Sequence, residues 1–435
     1  MYRGLGDCFL ITLPGGPGGE DYFILIDCGI LLGTPDATAH MTAVAEDIAL
    51  MTGGRLDLLV ATHEHWDHLS GFLQAADVFK RMTVEQVWLA WTEDPADELA
   101  KKLRQEREMA LTALSRAVTR LRFAADHDTA DAIEGLLGFF GAGKGATTRE
   151  ALEAVRGMSP TVKYCRPDQP GPEELPGGQR LFVLGPPVDE KLLRKTRPSS
   201  RTPETYVGLK PQLDDFADNI APALHSSLYA GRPLEPADPD PDAPIPVAPP
   251  VGPESPFTTL NAIPLAAAEE MDFFKGHYGG GEAWRRIDAA WLDGSTELAL
   301  QLDSATNNTS LVLAIELAVD DKHKPGDILL FAADAQVGSW LSWEGLEWTV
   351  DGGKVTGRDL LRRTILYKVG HHGSHNATLR DKGLELMSDL RFALVPVDQE
   401  IARKRRWHEM PLPGLITRLK EKAAKAVLQS DQALP

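Results

Sequence analysis

Three histidines and two acids fall within six positions of the stretch LLVATHEHWDHLSGF, residues 58–72: His63, Glu64, His65, Asp67 and His68. Each can offer nitrogen or oxygen to a divalent transition metal such as zinc, manganese or iron. His63 and His65 stand two apart, so both face the same way on an extended backbone. Asp67 and His68 come past the turn and face a second ion from the helix side. Two ions about 3.5–4 Å apart can share a water that becomes a nucleophile near neutral pH, which is hydrolytic chemistry. Four residues do not complete two coordination shells, so further donors are expected at other strand ends. Asp334 follows the apolar run ILLFAADA, and His371 and His372 close LYKVGHHGS.

The elements that must position these donors are legible as alternating strands and helices. CFLITL and YFILIDCG flank the turn PGGPGG and read as two strands; MTAVAEDIALMT is helical. LDLLVAT has the unbroken apolar character of a strand covered on both faces. Beyond the histidine cluster SGFLQAADVFKRM reads as helix and VEQVWLAW as strand, the rhythm of a layered α/β domain. Leu103, Leu111, Leu114, Val118 and Leu121 then recur at helical spacing among many charges, which predicts an amphipathic surface helix. TREALEAVRGM predicts another helix, and TVKYC and RLFVLGPP return to strand. Gly231–Pro256 has ten prolines in 26 residues and is expected to be an extended linker or surface loop. Regular structure resumes near EAWRRIDAAWL. It continues through the strands TSLVLAIEL, DILLFAADA, TILYKV and FALVPV to the basic run RKRRWH and a closing helix, GLITRLKEKAAKAVL.

The 435 residues carry 45 Lys and Arg against 63 Asp and Glu, a formal charge of −18. Such a surface repels phosphate backbones, so a nucleic-acid substrate needs local basic patches or bound metal ions to work against it. Cys8, Cys28 and Cys165 imply no disulfide framework and fit a reducing compartment. The start, MYRGLGDCFLITL, lacks the pattern of a secretory leader, and no run of about 18 apolar residues spans a membrane. A cytoplasmic location is expected.

THEHWDH matches the H-x-H-x-D-H signature of the metallo-β-lactamase fold, a four-layer αββα sandwich of metal-dependent hydrolases. GLGDCFLI, FILIDCG, NNTSLVL, LLFAADA and KVGHHGSHNAT resemble the ComEC-type group, named for the hydrolase domain of the competence DNA-uptake channel. The resemblance implies a fold domain in two halves, residues 1–94 and 301–435, around a helical and Pro-rich insertion, 95–300, that includes a core strand near 180–187. It further implies that His63 and His65 hold a first ion, Asp67 and His68 a second, and that Asp334 bridges them. His372 becomes the last ligand of the second ion, with His371 on the substrate side; Asp67 and His371 are the candidate catalytic residues. Asp27 resembles the buried aspartate that orients the cluster from behind. The fold's usual third histidine for the first ion is missing from DSATNNTSLVL, where Asn307, Asn308 or Ser310 is expected to line the site, with Ser374 beyond the histidine pair. One or two divalent ions are expected, zinc first and manganese next.

Hydrolysis follows from such a site; the substrate does not. The resemblance implies a phosphodiesterase or nuclease acting on nucleic acid or a nucleotide, with RKRRW, Arg403–Trp407, as a phosphate contact unless it is merely a solvated run. A small-molecule ester, lactone or phosphoester hydrolase suits the acidic surface better. A third expectation is a hydrolase subunit of a larger assembly, for example in phage defence, with a protein partner bound through the insertion.

Overall fold

The computed structural model describes residues 4–123, 127–141, 147–199, 202–206, 265–277, 293–318, 325–405, 407 and 410–432. Gly231–Pro256 and EAWRRIDAAWL lie outside these. The chain divides into one unit of Met1–Asp215 with Ser295–Pro435 and another of Phe216–Gly294. The described residues of the latter form two short helices, Leu265–Glu270 and Asp272–His277.

In the larger unit the turn after Leu13 folds β1 (Phe9–Leu13) antiparallel onto β2 (Tyr22–Ile26), with Phe9 opposite Ile26. Helix α1 (Ala37–Thr52) and the short β3 (Arg55–Leu56) lead to β4 (Leu58–Ala61), parallel to β2. Every residue of β4 is buried, as its unbroken apolar run requires. There follow α2 (Trp66–Gln74), α3 (Ala76–Phe79), β5 (Thr83–Val84) and β6 (Val87–Ala90), then α4 (Glu98–Phe123), α5 (His127–Leu137), α6 (Thr148–Arg156) and β7 (Val162–Cys165). The first sheet runs β1-β2-β4-β6-β7. The second is built from β8 (Glu173–Glu174), β9 (Arg180–Gly185), β10 (Val312–Glu316), β11 (Ile328–Phe331), β14 (Thr364–Lys368), β15 (Phe392–Val395) and β16 (Ala426–Gln429), in the order β16-β15-β14-β11-β10-β9-β8, while β12 (Glu347–Val350) and β13 (Gly353–Thr356) pair as a separate hairpin. The stretch after residue 95 therefore gives β7 to one sheet and β8 and β9 to the other.

Three apolar clusters account for the packing. One holds Ile24, Leu58, Val60 and Trp88 of the first sheet together with Leu181, Leu313, Ile315 and Phe331 of the second. Another joins Leu25, Leu59 and Val87 to Val44 and Ile48 of α1, Phe72 of α2 and Leu152 of α6. The last joins Phe182, Leu330, Tyr367 and Ala393 to Trp340, Leu361, Leu415 and Leu419. Alternate residues of each strand thus enter different clusters, the consequence of a two-residue side-chain period.

The closing segment differs from its prediction. The helix stops at Lys422, and Ala426–Gln429 forms the edge strand β16 beside β15. Leu415 and Leu419 bury one helical stripe, but Val427 and Leu428 gain more by pairing with the sheet than by extending a helix past it. Asn307 ends a helix, Asp293–Asn307, just before the strand that TSLVLAIEL predicts.

β2 and β4 are parallel neighbours, as are β11 and β14. Their carboxyl ends carry Asp27, the histidine cluster, Asp334 and the His371–His372 pair, the edge where α/β sheets place ligands. The two sheets meet there through the backbone, Leu311 N–H donating to the Thr62 carbonyl over 2.9 Å.

Candidate metal centre

The loop after β2 rests directly on the start of α2. Cys28 N donates to His68 O over 2.8 Å, and Asp7 N donates to Asp67 O over 3.0 Å. Only glycine fits at position 29, because a Cβ there would lie 2.4 Å from the Asp67 carbonyl carbon. Non-glycine residues with positive φ gather at the same edge: Asp27 at 56°, Ala333 at 46°, His371 at 43° and His372 at 53°. Each such residue costs on the order of 1–3 kcal/mol and persists only where its surroundings over-determine it, a pattern concentrated at functional sites.

His65 is extended, and the first turn of α2 carries Asp67 and His68. Asp67, His68, Asp334 and His372 are fully buried, and their ligand-type atoms all lie within 4.8 Å of one another. His68 Nε2 is 3.3 Å from Asp334 Oδ2, and His372 Nε2 is 3.0 Å from Asp67 Oδ2 and 3.5 Å from Asp334 Oδ2. The opposite nitrogens are anchored: His68 Nδ1 donates to Asp27 over 2.8 Å, and His372 Nδ1 to the Pro396 carbonyl over 2.6 Å. These bonds fix which imidazole nitrogen faces the cluster. Asp334 is held too, its Oδ1 accepting from His371 N–H at 3.1 Å and Lys368 Nζ at 3.3 Å, its own N–H donating to Ser310 Oγ at 3.2 Å.

His63 and His65 form a looser pair beside it. His63 Nδ1 lies 3.0 Å from Thr62 Oγ1, whose hydroxyl donates to Asp27 over 2.7 Å, so Asp27 orients His68 directly and His63 through a threonine. His63 Nε2 is 3.0 Å from His65 Nδ1. The His65 ring packs on Phe139 and Phe140, with centroids 5.5 and 4.8 Å away. Among the described residues the close groups of three or more donors are Asp67–His68–Asp334–His372 and Asp7–Asp27–His68, and neither includes His63 or His65.

Charge separates the two pairs of histidines. Burial opposes a charge on His68, but Asp334, Asp7, Asp27 and Asp67 outweigh it and hold its pKa well above the usual imidazole value. Burial likewise opposes His372, and Asp334 and Asp67 raise it. Burial pushes His65 down to about 3, and burial with the neighbouring His68 and His65 pushes His63 well below its usual value. Burial opposes the negative charge of Asp334, yet His372, His68 and Lys368 keep it well below the carboxylate range.

The remaining site candidates divide. His371 Nε2 is 3.2 Å from Asn307 Nδ2, and its Nδ1 is 3.3 Å from Asn376 Oδ1. Burial lowers its pKa to about 4. His371 and His372 are two successive left-handed residues, and their ring centroids stand 6.1 Å apart. Asn308 spends its amide on the backbone, donating to the Leu192 and Leu193 carbonyls and accepting from Gln336 and Ser339 N–H. It braces the loops behind the site and has nothing left to line it. Ser374 Oγ reaches only His375 Nδ1, at 3.5 Å. Glu64, in the motif itself, turns away: it accepts from Arg107 of α4 at 2.6 Å and from Thr148 of α6 at 3.2 Å.

Three buried residues escaped the sequence reading. Asp7 pairs with Lys368, and Lys368 also donates to the Ala333 carbonyl over 2.8 Å. Their signal was available, a charged residue beside an apolar strand in GLGDCFLI and in TILYK. Asp303, in the helix Asp293–Asn307, had none, because one acid in a polar helix reads as solvated. Asp7, Asp27, Asp67, Asp303 and Asp334 are all buried here, against one buried ammonium among the described residues, Lys368. Among the described residues, Asp7 Oδ1, Asp67 Oδ1, Asp303 Oδ1 and His65 Nε2 have no hydrogen-bond partner. Buried carboxylates in this excess call for cations, and N,O donors of this kind suit zinc, manganese or iron. The residues fit a divalent ion.

Residues 1–102 match the model of the metallo-beta-lactamase superfamily, whose members are metal-dependent hydrolases. No curated protein and no solved structure matches the chain. Among the described residues no helix is long and apolar enough to cross a membrane, and all three cysteines are free.

Proposed function

We propose that this protein is a phosphodiesterase or nuclease whose primary ion is held by Asp67, His68, Asp334 and His372. The observation that carries the hydrolase reading is the convergence of those four buried donors, with both imidazoles anchored from behind. A divalent ion there supplies Lewis acidity and makes water a competent nucleophile near neutral pH. Around it, Asp27 and the Pro396 carbonyl fix His68 and His372, and Lys368 with His371 N–H holds Asp334. His371 is the candidate proton donor or substrate-orienting group, and Asp67, whose Oδ2 lies 3.0 Å from His372 Nε2, is both a ligand and the other candidate catalytic residue. The three apolar clusters support a four-layer arrangement of helices and sheets, with residues beyond 95 elaborating it.

Support for a phosphodiester comes from the basic run. Trp407 stacks on Phe139 with centroids 5.2 Å apart, and Phe139 in turn contacts His65. Arg405, two residues away, donates to the Leu32 carbonyl over 2.8 Å, so this run is docked against the domain near the centre rather than hanging from it. An aromatic and a guanidinium side by side suit a nucleotide, through stacking and phosphate contact. The net charge of −18 favours the other reading, a small ester, lactone or phosphoester.

The test is a screen of the purified, zinc- or manganese-loaded protein on DNA, RNA, cyclic dinucleotides, a chromogenic phosphodiester, esters and lactones. Cleavage of phosphodiesters, with Arg405→Ala raising KM more than it lowers kcat, is expected. Turnover confined to carboxylic esters or lactones would overturn the phosphodiester reading.

A further inference from the structure

We infer that Cys8 and Cys28 form a redox modification site, a thiol pair that a peroxide closes into a disulfide, and that closing it weakens the primary metal centre. The second half of this rests on the metal-dependent reading above; the first half does not.

Three observations assign the pair. Phe9 of β1 faces Ile26 of β2, but beyond them Gly29 N donates to Asp7 O over 3.0 Å and Leu31 N to Leu5 O over 2.8 Å. The second strand therefore carries one residue more than the first, a bulge at Asp27 with its φ of 56°. Without it Cys8 would face Asp27; with it Cys8 faces Cys28. A pair beside a hydrogen-bonded one has Cα atoms about 4.5 Å apart, inside the span of about 4.4–6.8 Å that a disulfide bridges. Both side chains join the apolar cluster between the first sheet and its helices, and the two thiols hydrogen-bond to each other. Cys8 is half-buried and lines a cavity of about 230 Å³, so a small oxidant reaches it, whereas Cys28 is fully buried.

Hydrogen peroxide balances the chemistry. The Cys8 sulfur attacks one peroxide oxygen and becomes a sulfenic acid; the O–O bond breaks, and the other oxygen leaves as water with the thiol's proton. The Cys28 sulfur then attacks the Cys8 sulfur, the S–O bond breaks, and the hydroxide leaves with the Cys28 proton as a second water. Two thiols lose two electrons, and one peroxide gains them. In reducing surroundings such a bond is transient and reports oxidant rather than holding the fold.

The backbone carries the effect to the metal centre. Cys28 N–H donates to the His68 carbonyl over 2.8 Å, and α2 passes so close that a Cβ at Gly71 would lie 2.6 Å from Cys28 Sγ. Asp27, which orients His68, is the residue before Cys28. Drawing the sulfurs from hydrogen-bond contact to a bond of about 2.0 Å pulls Cys28 off α2 and turns Asp27 with it.

Peptide mapping of the full-length protein, with and without hydrogen peroxide, tests the first half. A peptide joining Cys8 to Cys28, lighter by two hydrogens, is expected; oxidation that stops at sulfinic acid, or that joins Cys165 instead, overturns it. Zinc titration against a competing chelator, on reduced and oxidised protein, tests the second half. Oxidation should weaken the first equivalent by about 10–100-fold, the loss that follows removal of a ligand's outer partner, and a phosphine reductant should restore it. Cys8→Ser should bind the first equivalent as the reduced wild type does and be indifferent to peroxide, and Cys8→Ala carries the same test if the serine variant does not fold. Peroxide-induced loss of affinity in these variants overturns the coupling, as does a disulfide that leaves zinc affinity unchanged. A reduced wild type that takes up no zinc removes the metal-dependent reading and the coupling with it, while the mapped peptide still decides the thiol pair.

Discussion

The two sides of this centre use the same residue types to different effect. Asp67, His68, Asp334 and His372 arrive from α2 and from the ends of β11 and β14, and they converge with their rear faces already bonded. His63 and His65 come from one short stretch, His65 packs on two phenylalanines, and its Nε2 lies 3.8 Å from Asp303 of a helix distant in sequence. Four carboxylates surround His68, whereas His65 is dominated by burial, which is why their pKa values move in opposite directions. The difference teaches that a motif with four donors does not build two equal sites. The donors that converge most closely are those completed from the other sheet.

The largest effect should come from removing the carboxylate at the heart of the four-donor side. Asp334→Asn keeps the side chain's size but removes a charge that His68, His372 and Lys368 face and that a bound ion would need. Loss of a contribution of several kcal/mol corresponds to about a thousandfold in turnover, which steady-state kinetics on a chromogenic phosphodiester would register. A variant with most of its turnover would break the comparison, because Asp334 would then be dispensable.

His371→Ala sharpens it. His371 touches Asn307 and Asn376 and is not in the four-donor group, so elemental analysis should find the metal content unchanged. Turnover should fall by about 10²–10⁴-fold if the imidazole moves a proton. Metal loss equal to that of His372→Ala would erase the distinction between these neighbours.

Arg107→Ala probes stability rather than chemistry. Arg107, its side chain 10 % exposed, pairs with the buried Glu64 and lies 3.5 Å from Glu93, which keeps Arg156 at 3.9 Å, so truncation leaves Glu64 without its cation. Breaking such a pair costs about 3–5 kcal/mol, measurable as a lowered denaturant midpoint. The primary ion should still bind, because none of its four ligands touches Arg107; its loss would show that α4 supports the metal directly.

Much of this was legible because strand ends announce themselves. HEHWDH, Asp334 and the HHGS turn each follow an apolar run, and parallel pairing of β2 with β4 and of β11 with β14 carries them to one edge. Asp27 was readable for the same reason. Asp303 was not, because its importance depends on where a helix docks and not on its neighbours in sequence. Asn308 misled in the opposite sense: an asparagine next to the site proved to be a brace for the loops at Leu192 and Gln336. The end of the closing helix was hidden as well, since Ala, Lys, Val and Leu satisfy a helix until a free sheet edge competes for them.

The most direct measurement is a chelator-competition titration of metal-free protein with zinc, run on the wild type, His372→Ala and His63→Ala. A first equivalent should bind much more tightly than the second, be lost in His372→Ala and survive in His63→Ala. A first equivalent lost in His63→Ala but retained in His372→Ala, or two equivalents of equal affinity, would contradict it.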